Sequence, residues 1–333
     1  MDPNETAFDL ERYLRICGAT KPEIFDWTTP QPRLSDDALF TIAYMMDIES
    51  HTIVYLRDLL STRVVRDNEV TAFLSCWAYE EYFHSLLLRR FLATQGIAID
   101  DQRFADLRSK TSIADRVIRP GIAILSRVSR HFPAVHMTFG AINEVSTLTG
   151  YQALIARTDF AHDRSDSPRP LLTTILQRII KDERRHFAFY FNQARCRLSA
   201  PAARRLTAFL VRHFWTPVGV TVRGDPAMRR VCAYLFPGES GVERLAAVDR
   251  SIARLPGLEW FDLGARYARR VQASPGAKVL SHDGSIQRLA PDVACPLERV
   301  SGIRTACSPA STMSRSSSKG SSPRLRATRA QVS

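Results

Sequence analysis

Apolar residues recur at steps of three and four through four long stretches of this chain, and each apolar stripe is interrupted by a carboxylate. The first stripe runs Ile42, Met45, Glu49, Ile53, Leu56. A period near 3.6 is that of an amphipathic helix with one face toward a core. Ser35 is placed to cap this helix, with Asp36 and Asp37 in its first turn, and the pattern continues to about Thr62. Asp47 falls off the stripe and is expected away from the core. Asp67 caps a second helix that runs to about Thr94, with Gly96 beyond its end. It carries Trp77, Glu81 and His84. Pro133 suits a first helical position, and a third helix follows to about Arg157 along Met137, Ala141, Glu144, Leu148, Tyr151. The fourth spans Leu171 to Leu198 along Leu172, Ile175, Ile179, Glu183, His186, Tyr190.

The remaining pattern is weaker. Asp9 to Ile16 reads as a short helix, and the Pro-punctuated Lys21 to Leu34 as an arm laid across the bundle. Residues 97–112 read as a polar connection. Ile113 to Phe132, broken by Pro120-Gly121, reads as a crossover, and Ala161 to Pro170 as a turn-rich break. Three further helices are predicted at 201–214, 225–235 and 241–272, the last broken near Pro256-Gly257; together they would pack on the bundle and close one end of a cavity. Trp215-Thr216-Pro217-Val218-Gly219 stops the first of them. The expected organisation is an N-terminal arm (1–34), an all-α helical domain (35–274) and a tail (275–333) whose Ser, Arg and Pro content predicts disorder.

The residues on the four stripes carry the chemistry. In Glu81-x-x-His84 the carboxylate and imidazole stand on one helix face, and Glu183-x-x-His186 repeats the spacing. One such pair on a helix is usually a solvated ion pair. Two pairs on separate helices, with a single inward glutamate on each of two others, form the donor set of a di-iron or di-manganese bundle. Glu49 and Glu144 are those glutamates, because an unpartnered charge on an apolar stripe is costly. Four carboxylates and two imidazoles make a hard site that suits two iron ions, with manganese as the other candidate, better than a thiolate-seeking metal.

Composition changes this picture little. The six cysteines include no Cys-x-x-Cys pair, so they read as reduced thiols and not as a zinc or iron–sulfur set. No run of roughly 18 apolar residues predicts a membrane span, and the first residues lack the pattern of a signal peptide. A cytoplasmic protein is expected. The net charge of +12 raises nucleic-acid binding, but nine Lys/Arg against three Asp/Glu from 275 onward place half of it in the tail. No nucleic-acid partner is expected. The clusters Arg89-Arg90, Arg204-Arg205, Arg229-Arg230 and Arg269-Arg270 read as solvated helix faces that can also receive an acidic protein.

With these motifs in hand, residues 35–198 resemble the ferritin-like di-iron superfamily, and most of all its soluble acyl-carrier-protein desaturases. Trp77-x-x-Glu80-Glu81-x-x-His84, Glu144-x-x-Thr147 and Asp182-Glu183-x-Arg185-His186 are similar to that family's motifs. The resemblance implies a ferritin-like four-helix bundle with additional packed helices. Glu49, Glu81, His84, Glu144, Glu183 and His186 would be the metal ligands, Thr147 would assist oxygen activation, and Asp182 would hold the imidazole of His84. It further implies desaturation of an acyl chain on acyl carrier protein, a ferredoxin-type electron donor and a homodimer. Trp77 reads as core filling or as part of an electron path, and Trp27 as a distant electron-entry point. A pocket lined by Met45, Met46, Phe73, Met137, Phe139, Leu148 and Tyr190 would hold the chain.

Two departures qualify the match. Tyr82 and Phe83 stand between Glu81 and His84 where the family is polar, and the residues beyond 200 show no resemblance. A di-iron hydroxylase or N-oxygenase of a small metabolite is the nearest alternative, although Ile179 occupies the place of the third histidine of the best-known N-oxygenases. Leu88 stands where the radical-generating ribonucleotide reductase subunit would have a tyrosine. A ferritin-like iron-binding or peroxide-detoxifying protein is the alternative of another class.

Overall fold

Four long helices carry the fold, and their ends follow local chemistry. In the computed structural model, which describes residues 8–109, 124–158 and 170–273, α1 is Leu10–Ile16, α2 Asp36–Leu60, α3 Asn68–Thr94, α4 Asp101–Ser109, α5 Phe132–Thr158 and α6 Leu171–Arg197. Then come α7 Pro201–Phe214, α8 Val220–Arg223, α9 Asp225–Leu235, α10 Gly238–Ile252 and α11 Leu263–Gln272. Every regular element among the described residues is helical, and all of these residues belong to one compact unit. No helix among them is long and apolar enough to cross a membrane. The Pro120-Gly121 break, most of the Ala161–Pro170 break and the 275–333 tail lie outside the described residues.

Ser35 Oγ accepts the Ala38 amide at 3.2 Å, and the Asp67 carboxylate accepts the amides of Glu69 and Val70. Gly96, at φ +76°, follows the end of α3 in the left-handed conformation that glycine adopts without strain. α2 packs along α3, α5 along α6, and contacts of α3 with α6 and of α2 with α5 close the bundle. On the outside, α7, α9 and α10 pack on α5, α9 also on α2, and α11 on α9 and α10.

The core is divided. One apolar cluster gathers the first half of α2, Leu87–Leu92 of α3 and Leu171–Ile180 of α6; the other gathers Val70–Trp77, the first half of α5 and Phe189–Ala194. Between them α3 contributes Glu80, Glu81 and His84, and α6 contributes Asp182, Glu183 and His186, all buried. A charged layer thus crosses the middle of the bundle, with dry packing above and below it.

Three expectations are corrected. Residues 97–112 contain a helix, α4, whose Arg103 is buried. Asp47, expected away from the core, is fully buried and accepts from Nε and Nη2 of Arg103 at 2.8 and 2.7 Å, with Arg223 at 3.3 Å. The reason is that Ala38 to Asp47 is enclosed on all faces, so a single apolar stripe does not describe it. Further along α2, Ile53 is 43% exposed although its stripe points inward. The break expected near Pro256-Gly257 is there: α10 and α11 are separated by a turn between Ala253 and Asp262, with Gly257 at φ +87°.

Removing one member of a buried ion pair leaves the other desolvated, at a cost of about 3–5 kcal/mol. Asp47→Ala is expected to lose stability of this order in urea unfolding, whereas Arg250→Ala, at an exposed pair with Glu243, is expected to change it by less than about 1 kcal/mol.

Candidate metal centre

The i,i+3 pairs of α3 and α6 and the single glutamates of α2 and α5 meet in the charged layer. All six predicted ligand residues converge there, each at most 6% exposed. They form two overlapping sets. Glu49, Glu81, His84 and Glu183 offer one ligand atom each within 4.8 Å of one another, and so do Glu81, Glu144, Glu183 and His186. Glu81 and Glu183 belong to both.

His84 Nδ1 lies 3.4 Å from Glu183, 3.9 Å from Glu81 and 4.0 Å from Glu49. His186 Nδ1 lies 3.1 Å from Glu81, 3.6 Å from Glu144 and 3.8 Å from Glu183. Donors about 2.1 Å from one ion are roughly 3 Å apart at right angles and roughly 4 Å apart when opposite. The spacing therefore suits one ion in each set. The donors are also unused: His84 Nδ1, His186 Nδ1, Glu81 Oε1 and both Glu183 oxygens have no hydrogen-bond partner although buried. Buried polar atoms are ordinarily paired, so five orphans facing one another mark a place for cations.

The other imidazole nitrogens are held from behind. His84 Nε2 is 3.2 Å from Asp182 and His186 Nε2 is 2.8 Å from Glu80. With each Nε2–H donating to its carboxylate, Nδ1 presents its lone pair to the cluster. Arg185 ties the two supports together, donating to Glu80 at 2.9 Å and Asp182 at 2.6 Å. Glu80 also accepts from the Tyr13 hydroxyl at 2.8 Å and the Gly18 amide at 3.1 Å, which fastens the N-terminal arm to the site. The outer glutamates have their own supports. Trp77 Nε1 donates to Glu144 at 3.1 Å, and the Tyr151 hydroxyl donates to Glu49.

Glu80, Arg185, Tyr13 and Tyr151 were not assigned roles from the sequence. For Glu80 a signal existed: it precedes Glu81 as Asp182 precedes Glu183, so the two motifs place equivalent carboxylates behind opposite histidines. Tyr151 lies on the predicted stripe and reads there as core. Tyr13 comes from a segment with no local link to the motif. Thr147 is half-buried on α5, one turn beyond Glu144. Trp27 is buried, donates to Pro22 O at 2.6 Å and carries the Arg90 guanidinium 4.8 Å above its ring. Tyr82 is 48% exposed on the outer face of α3, where its ring and that of Tyr79 pack against Phe83.

A cavity of about 80 Å³ opens beside the cluster. Its walls are Tyr44, Met45, Ile48 and Glu49 of α2, Ile142, Thr147 and Gly150 of α5, and Trp215, Met228, Val231, Leu235, Val248 and Phe261 from the C-terminal helices. Of the seven residues expected to line a substrate pocket, Met45 alone is on the wall of this cavity. Met46, Phe73, Met137 and Tyr190 are fully buried core, and Phe139 and Leu148 are half-buried outside this cavity. Helical periodicity identifies the inward face, but large side chains fill the bundle centre, and space remains where the outer helices stand away from α2 and α5.

Burial and then the Glu81 charge push the Glu49 carboxyl well up; burial and the Glu183 charge do the same to Glu81 and carry Glu144 to about 8. Burial pulls both histidines down, but Asp182 and the nearby carboxylates raise His84 well above its usual range, as Glu144 and the other carboxylates raise His186. Glu183, opposed by burial, is lowered by its two histidines, and Glu80, likewise opposed by burial, is brought down to about 2, chiefly by His186.

Both kinds of raised group favour the folded state at low pH and lose that contribution as pH rises through their folded values. The lowered Glu183 and Glu80 lose theirs only in acid. Metal-free protein is therefore expected to melt at falling temperature as pH rises from the ordinary carboxyl range through about 8, and an excess of divalent metal is expected to remove that decline, as read by calorimetry. Glu80→Ala is expected to weaken metal binding by about 10- to 100-fold, the usual result of removing the support behind a ligand histidine, as read by competition with a chelating dye. Compared with models of known families, with curated proteins and with solved structures, the chain shows no match.

Proposed function

We propose that this protein is a ferritin-like, dinuclear-iron, oxygen-dependent oxidoreductase acting on an apolar group that enters beside Glu49 and Thr147. The observation that carries this reading is the set of five orphaned ligand atoms, buried and facing one another, each imidazole oriented from behind. Glu49, Glu81, His84 and Glu183 would hold one ion, and Glu81, Glu144, Glu183 and His186 the other. Manganese suits the same donors. An iron pair held there supplies the two-electron reduction of dioxygen that breaks unactivated C–H bonds.

The protein's own part is orientation and proton control. Asp182 and Glu80 hold the imidazoles, Trp77 and Tyr151 hold the outer carboxylates, and Thr147 brings a hydroxyl to the cavity wall next to Glu49. The apolar walls exclude water from that side. Ferritin-like storage or peroxide removal has no need of such a cavity, which favours an enzyme.

Within this class, the motif resemblance supports desaturation of an acyl chain carried on acyl carrier protein, with a ferredoxin-type donor and a homodimeric enzyme. Exposed arginines such as Arg205 and Arg269 offer docking charge to either acidic partner. One observation favours the second reading, hydroxylation or N-oxygenation of a small metabolite: a cavity of about 150 Å³ holds benzene, and this one, at about 80 Å³, is smaller. A long chain would have to part the outer helices from α2 and α5.

The test is metal per chain after anaerobic reconstitution with ferrous iron. About two ions per chain are expected in the parent and a loss of at least one in His84→Ala and Glu183→Ala. Mass spectrometry of products after reduction and oxygen exposure then separates the readings, a loss of two hydrogens from acyl carrier substrates against a gain of one oxygen in small amines or aromatics. A well-folded parent that binds neither iron nor manganese would sink the proposal.

A further inference from the structure

Gly140 and Gly150 both lie inside α5, where glycine weakens a helix relative to alanine. Gly140 has a packing reason to be there, because a Cβ at that position would collide with the ring of Tyr190. Gly150 has no reason of that kind. A Cβ there would meet the terminal methyl of Met45 at 3.0 Å and a methyl of Leu235 at 3.9 Å, and nothing else within 4 Å outside its own helix. No ring and no neighbouring backbone presses on the position, although it is buried. Gly150, Met45 and Leu235 are instead all on the wall of the cavity beside the metal cluster. The space that a side chain would take is cavity.

Both helices carry this pair in register with the site. Met45 lies one turn before Glu49 on α2, and Gly150 lies one turn after Thr147 on α5; Glu49 and Thr147 line the same cavity. Met45 and Gly150 therefore stand one helical pitch, about 5.4 Å, along their helices from the place where the reacting group would enter. A group that extends from Glu49 and Thr147 toward this pair has the length of only a few bonds before it reaches the methionine methyl. Met45 is unbranched and flexible, so it can shape itself to the group it touches.

We propose that Gly150 and Met45 set the size of the substrate group: a compact, neutral, apolar group lies in the space left by the missing side chain of Gly150, against the Met45 methyl. This rests on the reading of the cavity as the substrate site of a metal-dependent oxidoreductase. Ile48, Ile142 and Leu235 give the group apolar walls. The two carboxylates on the wall, Glu49 and Asp249, accept hydrogen bonds from Tyr151 and from the Gly264 and Ala265 amides, and they disfavour an anion. The end of a short acyl chain and the ring of a small metabolite share this chemistry, whereas a long straight chain is stopped at Met45. Alanine at 150 would suit the helix better and fill the cavity, so the glycine favours the cavity over the helix.

The experiment titrates cyclopentane, as a compact probe, and n-octanol, as a straight-chain one, into the metal-free full chain labelled at the methionine methyls. NMR follows Met45 and Met228, the two methionines on the cavity wall, and iron per chain is measured on the same preparations. In the parent, cyclopentane is expected to shift both methyls to saturation and n-octanol to leave them in place. Gly150→Ala is expected to bind cyclopentane weaker by about tenfold or more, the effect of crowding a filled site. It is expected to load the same iron and to melt no lower than the parent, and up to about 4 °C higher. Met45→Val is expected to admit n-octanol, as read at Met228. An iron-binding parent that takes no cyclopentane, a Gly150→Ala variant that binds it as tightly as the parent, or a parent that binds n-octanol as tightly as Met45→Val overturns the size limit and leaves the metal site standing. A Gly150→Ala variant that melts lower or loses iron would show that packing requires the glycine and remove the basis of the inference. A parent that binds neither iron nor manganese overturns the reading of the cavity as a substrate site, whatever the probes do.

Discussion

Four carboxylates and two imidazoles, buried within a few ångströms of one another, are the constraint around which this structure is arranged. Without a cation, burial and mutual repulsion push the carboxyls of Glu49, Glu81 and Glu144 up, and the surrounding carboxylates push both histidines up against burial. With cations the same groups become a preorganised donor set. The surrounding residues serve that alternative: Asp182 and Glu80 face away from the cluster centre and fix the histidines, and Arg185 balances them both. The division of the apolar core into two clusters follows from the same demand, since a charged layer in mid-bundle needs dry packing on each side to keep water out.

The two flanks of the layer differ. On the Glu49 side, Thr147 and the outer helices leave a small cavity. On the Glu144 side, Trp77, Tyr190, Phe73 and Phe189 fill the space edge to face. A cluster with one open and one sealed flank can be approached by a small molecule from the open side alone.

Outside the ligand helices, the Asp47, Arg103 and Arg223 group fastens α4 and α8 to α2. Tyr44, adjoining that group on α2, donates to Val218 O at 2.8 Å and lines the same cavity. The shape of the cavity therefore depends on polar contacts between α2 and segments remote in sequence, and less on the apolar stripes that define the bundle.

By itself the sequence determined the four ligand helices, their caps at Ser35, Asp67 and Gly96, and the six residues that converge. Those features are local: helical periodicity sets which side chains share a face, and the i,i+3 spacing joins Glu81 to His84 and Glu183 to His186 before any tertiary contact forms. What the tertiary structure alone decided is whatever depends on which segment lies across a helix. Asp47 sits on no apolar stripe yet is buried, because α4 and α8 cover that flank of α2. Ile53 sits on the stripe yet is exposed, while Val54 and Leu59 beyond it on α2 are buried. Glu80 stands one turn before His84 on the same helix yet holds His186, because only the approach of α6 brings that partner to it. The cavity lies where the C-terminal helices stand off the bundle, and no period within one helix encodes the gap left between several.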